Sequence, residues 1–486
     1  MCDCALNLVS CIGIPLIVVL TYVGQYDWAL TGFPEELWYD DEWSARVLNE
    51  FQMVVVVSWR DLVSRTIFSI GVFFTTSNLK DLLRKASGRV DPVIGCEDTE
   101  VKVFKTRENL EIVPKPFSRM EHVRERRRII NWPTSTEHGM LHFVYAVFAF
   151  WGLVIIALHV QASVQPEEAQ CVLQVHPWAV SNPACYLAVL DCHRLAITGH
   201  RDEVEAKWSE FDRSTVVTLV IRHCPALEIP DSIGDFHITT GIKVYNSTIN
   251  DWGVSAALTN TNHPELIWFY LVRVNLVGGV LPAGALSTDF PGKLYDLEFT
   301  YTNIRELPDD LDSRWLIGTT VYFEYSKLTS VPASLIRLEP YSISLVGSPI
   351  AELPAEIFEV AEMVYMYMGG IPIEELPRNV VNVSPQLGFI YMVDTNISFF
   401  WSWADPLVKR SVPIIISGSP YCAEFEKIKS GEASGFSALP SPEYSTILMN
   451  ASETNLDIIS QIIICDEQPL VTVYPIDFED SVSAIT

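Results

Sequence analysis

The chain has 486 residues, more than one ordinary domain, and 49% of them are hydrophobic. Its mean hydropathy of +0.21 is high for a soluble protein. The formal net charge is −27, and most of the excess lies in residues 162–486, which carry 17 basic and 41 acidic side chains. A segment this acidic argues against nucleic acids and sulfated glycans as partners, because both are polyanions.

The first apolar segment is residues 6–23, which contain Gly13 and Pro15. Two interpretations stay open: a membrane helix and a cleaved signal peptide. No Lys or Arg precedes the segment, and no clear small-residue cleavage site follows it, so we favour the membrane helix.

The second apolar segment is residues 51–74, long enough to span a membrane. It contains Arg60, Asp61 and Arg65, and charges inside a span are costly. Arg65 lies one helical turn after Asp61, so the two charges can neutralise each other. We expect a span here, with an interfacial helix as the alternative, and we therefore assign residues 1–75 to a membrane region.

The third apolar segment, residues 139–160, contains no Asp, Glu, Lys or Arg and is typical of a transmembrane helix. The preceding loop, 76–138, is basic, whereas residues 24–50 are acidic. Because basic loops stay in the cytoplasm, we expect 76–138 inside and both 24–50 and the chain after 160 outside. The predicted location is the plasma membrane, with a possible cytoplasmic partner for the basic loop.

One short motif recurs between residues 214 and 422. It ends in an aliphatic residue and a proline at 304–308, 328–332, 350–354 and 373–377, with spacings of 24, 22 and 23 between copies. A period in the low twenties is the signature of leucine-rich repeats, each with one strand of a parallel sheet. We therefore predict an α/β leucine-rich repeat solenoid, with the parallel sheet on its concave face, after two or three transmembrane helices.

The repeat frame assigns two apolar residues to the core side of each strand. The pairs are Leu219/Ile221, Ile242/Val244, Phe269/Leu271, Leu297/Phe299, Val321/Phe323, Ile343/Leu345, Met366/Met368, Ile390/Met392 and Ile414/Ile416. The position that usually holds asparagine carries mostly small side chains that can bond the backbone of a tight turn. They are Cys224, Ser247, Thr302, Ser326, Ser348, Thr395 and Ser419.

Both ends of a repeat array need a cap, and secreted arrays often use disulfides there. We assign residues 171–213 to an N-terminal cap and 423–486 to a C-terminal cap and tail. Cys465 is the last cysteine after Cys422, so a Cys422–Cys465 disulfide is expected.

The N-terminal cysteines are less constrained. A Cys171–Cys185 disulfide is expected, although the pairing of these two residues with Cys192 stays open. Cys224 is interpreted as a buried free thiol, and Cys192 as a second candidate. The sequence contains no C-x-x-C pair, so we expect no metal and no cofactor.

Four N-glycosylation sequons lie after residue 160, at Asn246, Asn382, Asn396 and Asn450. Their position agrees with an extracytoplasmic repeat region. The sequon at Asn382 is followed by Ser384-Pro385, which weakens it.

Several motifs occur together in one order. They are Glu36-Leu37-Trp38-Tyr39, the segment from Cys171 through His176-Pro177-Trp178 to Cys185, the aliphatic-proline repeats, and Gly418-Ser419-Pro420-Tyr421-Cys422. In this order the chain resembles a large, uncharacterised family of membrane-anchored leucine-rich repeat proteins from oomycetes. Residues 245–252 and 302–312 are similar to the better-kept blocks of that family. The resemblance covers nearly the whole chain and implies the topology and fold, but no activity.

The residues between the repeat leucines predict a binding surface. They are Trp268, Tyr270, Glu298, Tyr301, Tyr322, Glu324, Tyr325, Tyr365, Tyr367, Phe389 and Tyr391. Tyrosine and tryptophan give large contact area at low entropic cost, so we expect this concave face to bind a protein, peptide or glycan. A structural or adhesion protein without a discrete ligand is the alternative. No phosphate-binding loop or nucleophile elbow occurs, so we do not expect an enzyme.

Overall fold

The computed structural model describes residues 13–52, 59, 62–63, 66–67, 70, 134–177, 180 and 182–485. The chain divides into two compact units. The first comprises 1–19 and 55–160, and the second comprises 20–54 and 161–486. The described residues include no helix that is both long and apolar enough to cross a membrane.

The helices, in chain order, are α1 (Ile14–Tyr22), α2 (Glu35–Trp38), α3 (Asp41–Phe51), α4 (Thr134–Ser163), α5 (Arg201–Trp208), α6 (Ala333–Arg337), α7 (Asp405–Lys409), α8 (Pro420–Lys429), α9 (Glu453–Ile462) and α10 (Ile476–Val482). The strands are β1 (Cys171–Val175), β2 (Ala184–Asp191), β3 (Thr218–Arg222), β4 (Leu227–Glu228), β5 (Gly241–Asp251), β6 (Trp268–Leu276), β7 (Asp296–Thr300), β8 (Thr320–Glu324), β9 (Ser342–Ser344), β10 (Tyr365–Tyr367), β11 (Phe389–Tyr391), β12 (Ile414–Ile415) and β13 (Ile463–Ile464).

Parts of the predicted membrane region are helical. The described end of segment 6–23 forms α1, and segment 139–160 lies within α4. Only scattered positions of segment 51–74 belong to the described residues. Of the predicted loop 76–138, residues 76–133 lie outside the described residues and 134–138 belong to α4.

The strands form one sheet, in the order β1-β2-β3-β5 and then consecutively to β13, with β4 beside β5. Apart from the antiparallel β1–β2 pair, the described strands pair in parallel. Their register aligns the first predicted core residues in one row: Leu219, Ile242, Phe269, Leu297, Val321, Ile343, Met366, Ile390 and Ile414. The predicted α/β fold with a largely parallel sheet is confirmed, and the sheet continues beyond 214–422 through β2 and β13.

The hydrophobic core lies on one face of this sheet. Phe269, Phe299 and Phe323, from three successive strands, are fully buried, and their ring centroids lie 5.8 and 5.0 Å apart. Each repeat therefore buries its apolar residues against the next repeat. A single repeat cannot bury its apolar face alone, so the repeats must stack.

The aliphatic-proline motif marks where the chain turns back from the sheet. The residues before the prolines, Leu307, Val331, Leu353 and Leu376, are buried in the core. Pro332 then caps the start of α6, and Pro354 caps a short 3-10 helix over Ala355–Glu359. Proline suits the start of a helix because its fixed φ is already near the helical value and the first N–H groups have no helical partner.

A left-handed residue recurs at one turn position of the repeats, within the long strands β5 and β6 and after β3 and β7 to β12. Its backbone φ lies between 43° and 78° at His223, Asn246, Arg273, Tyr301, Tyr325, Gly347, Gly370, Asp394 and Gly418. Several of these residues donate their N–H to a carbonyl of the next repeat, for example Tyr325 to Val346 and Asp394 to Ser417. This ladder offsets the cost of about 1–2 kcal/mol that a non-glycine residue incurs in this conformation.

The small polar side chains next in the repeat bond the backbone, as predicted. Ser348 Oγ donates to the carbonyl of Phe323 and contacts Ser326 Oγ at 2.9 Å. Ser247 Oγ accepts from the N–H of Cys224, and Thr395 Oγ1 donates to the carbonyl of Met392. The buried hydroxyl of Thr302 has no hydrogen-bond partner, so the pattern is incomplete there.

The described residues form two disulfides at the N-terminal end of the repeat array and one at its C-terminal end. Cys171–Cys185 and Cys422–Cys465 are the pairs expected from the sequence. The third, Cys192–Cys224, corrects the prediction that these two residues are free thiols. Their Cα atoms are 4.9 Å apart because the turns after β2 and β3 are adjacent in the parallel sheet.

Candidate binding face of the sheet

The sheet face opposite the core carries the predicted column of side chains. The register aligns Tyr270, Glu298, Tyr322, Ser344, Tyr367 and Tyr391, in the predicted order. Because side chains alternate along a strand, Trp268, Tyr365, Phe389 and Glu324 share this face in neighbouring rows. We call this surface, together with Lys243 of β5, the tyrosine face. Tyr301 and Tyr325 lie beside it in the left-handed turns, where their rings stack at 4.4 Å.

The chain itself covers most of the tyrosine face. Tyr322, Tyr391, Glu298 and Glu324 are buried, and Trp268, Tyr270, Tyr367 and Phe389 are partly buried. Tyr365 is 38% exposed. Two segments provide the cover, both within the second compact unit. One is residues 35–51, which contain α2 and α3 and which we call the N-terminal cover. The other is residues 469–485, which contain α10 and which we call the tail.

The second helix of the N-terminal cover, α3, has a well-formed N-terminal cap. Asp40 accepts hydrogen bonds from the N–H groups of Glu42 and Trp43 at the start of α3. Tyr39, just before it, stands over Tyr270 with 6.0 Å between ring centroids. Ala45, on the same helix, packs with Tyr186 and its neighbours at the N-terminal end of the sheet.

Lys243 joins both covers to the sheet. Its Nζ lies 2.5 Å from Asp41 of the N-terminal cover and 2.7 Å from Glu479 of the tail, and Lys243 and Glu479 are 1% and 0% exposed. Burial alone would lower the pKa of Lys243, but the two carboxylates raise it. Burial would raise the pKa of Glu479, whereas Lys243 holds it below its usual value. Loss of one member would leave a buried charge unpaired.

A second ion pair holds the next residue of the tail. Arg273 Nε donates to Asp480 Oδ1 at 2.7 Å, and Nη2 donates to Oδ2. The Tyr245 hydroxyl donates to the same carboxylate at 2.7 Å. The guanidinium also lies 4.9 Å from the centre of the Tyr301 ring. Arg273 holds the pKa of Asp480 below its usual range.

The tyrosine face also binds the backbone of the tail. Glu324 accepts the N–H of Val473 at 2.7 Å and that of Tyr474 at 3.2 Å. The Tyr391 hydroxyl donates to the carbonyl of Pro469 at 2.9 Å and accepts the N–H of Val471 at 3.2 Å. Two side chains of the face therefore bind four backbone groups of the irregular segment that precedes α10.

Two carboxyl groups share the centre of the face. Tyr270 donates to Asp296 at 2.6 Å, and Tyr39 donates to Glu298 at 2.9 Å. The other oxygens of this pair, Asp296 Oδ1 and Glu298 Oε2, are buried and have no hydrogen-bond donor. Burial raises the pKa of Asp296 to about 6. Burial, and then repulsion from Asp296 and Glu324, raises the pKa of Glu298 well above its usual value. The pair therefore favours a bound proton.

The asparagines of the four sequons, Asn246, Asn382, Asn396 and Asn450, are exposed. Asn450 accepts the N–H of Ser452, within its own sequon. Glycosylation of these sites stays a prediction. Among the described residues, no group of three or more His, Cys, Asp or Glu side chains is arranged to hold a metal ion.

Sequence reasoning missed the two covers, and with them Lys243 and Arg273. A signal was present in part: Lys243 is a cation in a column otherwise made of tyrosines, acids and a serine, and the tail carries the adjacent acids Glu479 and Asp480. Nothing in the repeat pattern itself indicates that segments more than 200 residues apart meet there.

No protein-family model matches the sequence, and no curated protein matches it either. Among solved structures, the chain is similar to a chain of the complex between Toll and Spatzle from Drosophila, a complex described as a hub in development and innate immunity. The identity is 14% and the TM-score is 0.30. The match covers 43% of this chain and 30% of the other, so it spans under a third of that chain's length.

Proposed function

We propose that this chain is a membrane-anchored, extracytoplasmic leucine-rich repeat protein that binds a ligand on the tyrosine face. The observation that carries the proposal is the way this face holds the tail. Glu324 and Tyr391 bind backbone N–H and C=O groups of the irregular part of the tail, while Lys243 and Arg273 bind its acids on α10. Among a protein, a peptide and a glycan, these contacts favour a segment of a protein or peptide.

Two features support an extracytoplasmic location. Disulfides form and persist in oxidising compartments, and the repeat region contains three of them. The asparagines of its four sequons are exposed, as modification requires.

Contacts of the N-terminal cover support the predicted topology. Tyr39 and Asp41 bind Glu298 and Lys243 of the sheet, so residues 35–51 and the repeats lie on one side of any membrane. The chain between them must then cross a membrane an even number of times, which agrees with two spans at 51–74 and 139–160.

Exposed apolar side chains on α4 support the anchor itself. Lipid is a suitable environment for such side chains, which are costly in water. They are Phe143, Val147, Phe150, Trp151, Leu153, Ile156 and Val160.

The binding proposal is tested with the full chain displayed on cells and probed with panels of secreted proteins, peptides and glycans. We use the full chain because the N-terminal cover packs on the repeats. A captured ligand should be lost when Tyr365→Ala is combined with Phe389→Ala, which removes two accessible rings of the face. Leu439→Ala, at an 83% exposed apolar residue elsewhere, should leave capture unchanged. Capture that survives the double variant would contradict the proposal.

The topology is tested by glycosylation mapping. In a glycosylating membrane host, Asn246→Gln and Asn396→Gln should each remove one glycan, seen as a stepwise decrease in mass. Unmodified asparagines at both sites would argue against an extracytoplasmic repeat region.

A structural or adhesion protein without a discrete ligand is the second candidate. The observation that favours it is the burial of Tyr322, Tyr391, Glu298 and Glu324 under the chain's own segments. This candidate predicts that the panels yield no ligand that depends on Tyr365 and Phe389.

A further inference from the structure

Three anchors fix the tail to the tyrosine face. The first is Leu470, which fits against Gly369 and Gly370. A Cβ atom on Gly369 would lie 2.8 Å from Leu470 Cδ1, and one on Gly370 would lie 2.6 Å from Cδ2. The glycines therefore leave the space that the leucine side chain occupies.

The second anchor is Tyr474, which is fully buried. Its ring lies 5.0 Å from that of Tyr39 and 5.9 Å from that of Tyr270, both edge to face. Its hydroxyl donates to Glu479 at 2.5 Å. A phenol is required for this contact, because phenylalanine would fill the space but could not donate.

The third anchor is the adjacent acid pair, Glu479 and Asp480. Glu479 contacts Lys243 at 2.7 Å, and Asp480 contacts Arg273 Nε at 2.7 Å. These cations stand on neighbouring strands of a face whose other charged groups, Asp296, Glu298 and Glu324, are acids. The face therefore accepts acid at this one place and repels it elsewhere.

The tail contacts the tyrosine face without being a strand of the sheet. It follows β13 and the Cys422–Cys465 disulfide, and residues 466–468, which lead into it, are exposed. Within the described residues after β13, the chain forms α10 but no further strand. Side-chain contacts, rather than sheet pairing, hold the tail on the face.

We propose that the tail occupies the ligand-binding site of the tyrosine face. A ligand peptide with similar side chains replaces the tail there. These side chains are an aliphatic residue, a tyrosine four positions later, and an adjacent pair of acids five and six positions after the tyrosine. The inference rests on the proposed function, because it names the class of ligand for the same face. The occupant is a partner protein that presents such an acidic segment.

The test uses the full chain with a protease site in place of the exposed residues 466–468. The chain folds with its tail attached and is then cut, and circular dichroism verifies that it stays folded. A fluorescent peptide of residues 469–485 is added, and binding is followed by anisotropy. We expect the peptide to exchange into the cut chain, and not into the uncut chain, where the attached tail has a high effective concentration.

Peptide variants test the specificity without altering the folded chain. A peptide with Glu479→Gln and Asp480→Asn should bind at least about tenfold more weakly, since both ion pairs are lost. A peptide with Ser481→Ala is the matched control and should bind like the unchanged one, because the Ser481 hydroxyl bonds only within the tail, to the carbonyl of Phe478.

Two outcomes would overturn the inference: a tail that does not exchange after the cut, and equal binding of the acid-deficient peptide. Neither outcome touches the proposed function by itself, because ligand capture through Tyr365 and Phe389 is measured separately. If capture also fails, the proposed function fails with the inference.

Discussion

The core face and the tyrosine face are made of alternate residues of the same strands, yet they are buried differently. Phe299 of the core face packs between Phe269 and Phe323, which are core residues of the two adjacent strands. Lys243 of the tyrosine face meets Asp41 and Glu479, which belong to no repeat. Burial on the core face is therefore a periodic, apolar property, whereas burial on the tyrosine face depends on polar pairs and side-chain packing between distant segments.

This difference separates stability from recognition. A repeat array gains its stability from many similar interfaces between neighbours. The tyrosine face is closed by segments from outside the repeats, so its contacts are separate from those interfaces. The following changes test whether the two faces are separable in this way.

The largest effect is expected on the core face. Phe299→Ala removes a fully buried ring from the middle of the phenylalanine row and should cost about 3–5 kcal/mol of unfolding free energy. Urea unfolding followed by circular dichroism measures this loss. Tyr295→Ala, at a 54% exposed residue nearby, should change stability by less than about 0.5 kcal/mol. Similar losses in the two variants would mean that the core face is not the main source of stability.

The second largest loss of stability is expected from removal of the disulfide between the turns after β2 and β3. Cys192→Ser combined with Cys224→Ser opens a loop closed over a sequence separation of 32 and should cost about 3–4 kcal/mol. The cost comes mainly from the greater freedom of the unfolded chain. Urea unfolding gives the loss, and thiol titration after denaturation checks the pairing. A single Cys192→Ser variant should show one additional reactive thiol, and the absence of that thiol would contradict the disulfide.

The smallest of the three effects tests the tyrosine face. Burial raises the pKa of Asp41 and of Asp296 to about 6, and the pKa values of Glu298 and Glu324 are also raised by burial. Above about pH 4 the folded chain then binds more protons than the unfolded chain, so stability should fall as the pH rises through about 6. The lowered pKa of Glu479 acts in the opposite direction, but only below about pH 4.5.

We expect the unfolding free energy to fall by an amount on the order of 2–3 kcal/mol between about pH 5 and pH 8. Thermal unfolding across this range measures it. Glu298→Gln should flatten the slope, because the amide keeps an acceptor for Tyr39 and cannot ionise. A slope that rises with pH, or one unchanged in the variant, would show that the carboxyl pair does not control the closure.

The repeat period was sufficient to predict the core face and the column of the tyrosine face. Core residues such as Leu297 and Val321, and face residues such as Glu298 and Tyr322, recur at the repeat spacing that a stacked parallel sheet explains. The period could not predict the cover, because Tyr39 and Tyr474 belong to no periodic pattern. The Cys192–Cys224 disulfide was missed for a related reason, since Cys224 occupied a repeat position that a small buried thiol also fills.

Lys243 also has a consequence for the order of events during synthesis. Its partner Asp41 emerges from the ribosome about 200 residues earlier, whereas Glu479 emerges 236 residues later, close to the end of the chain. The growing chain can stack its repeats one by one, but it cannot complete the cover of the tyrosine face until Glu479 has been synthesised. Throughout that interval only the N-terminal cover is present to occupy the face, and the sites of the tail are empty.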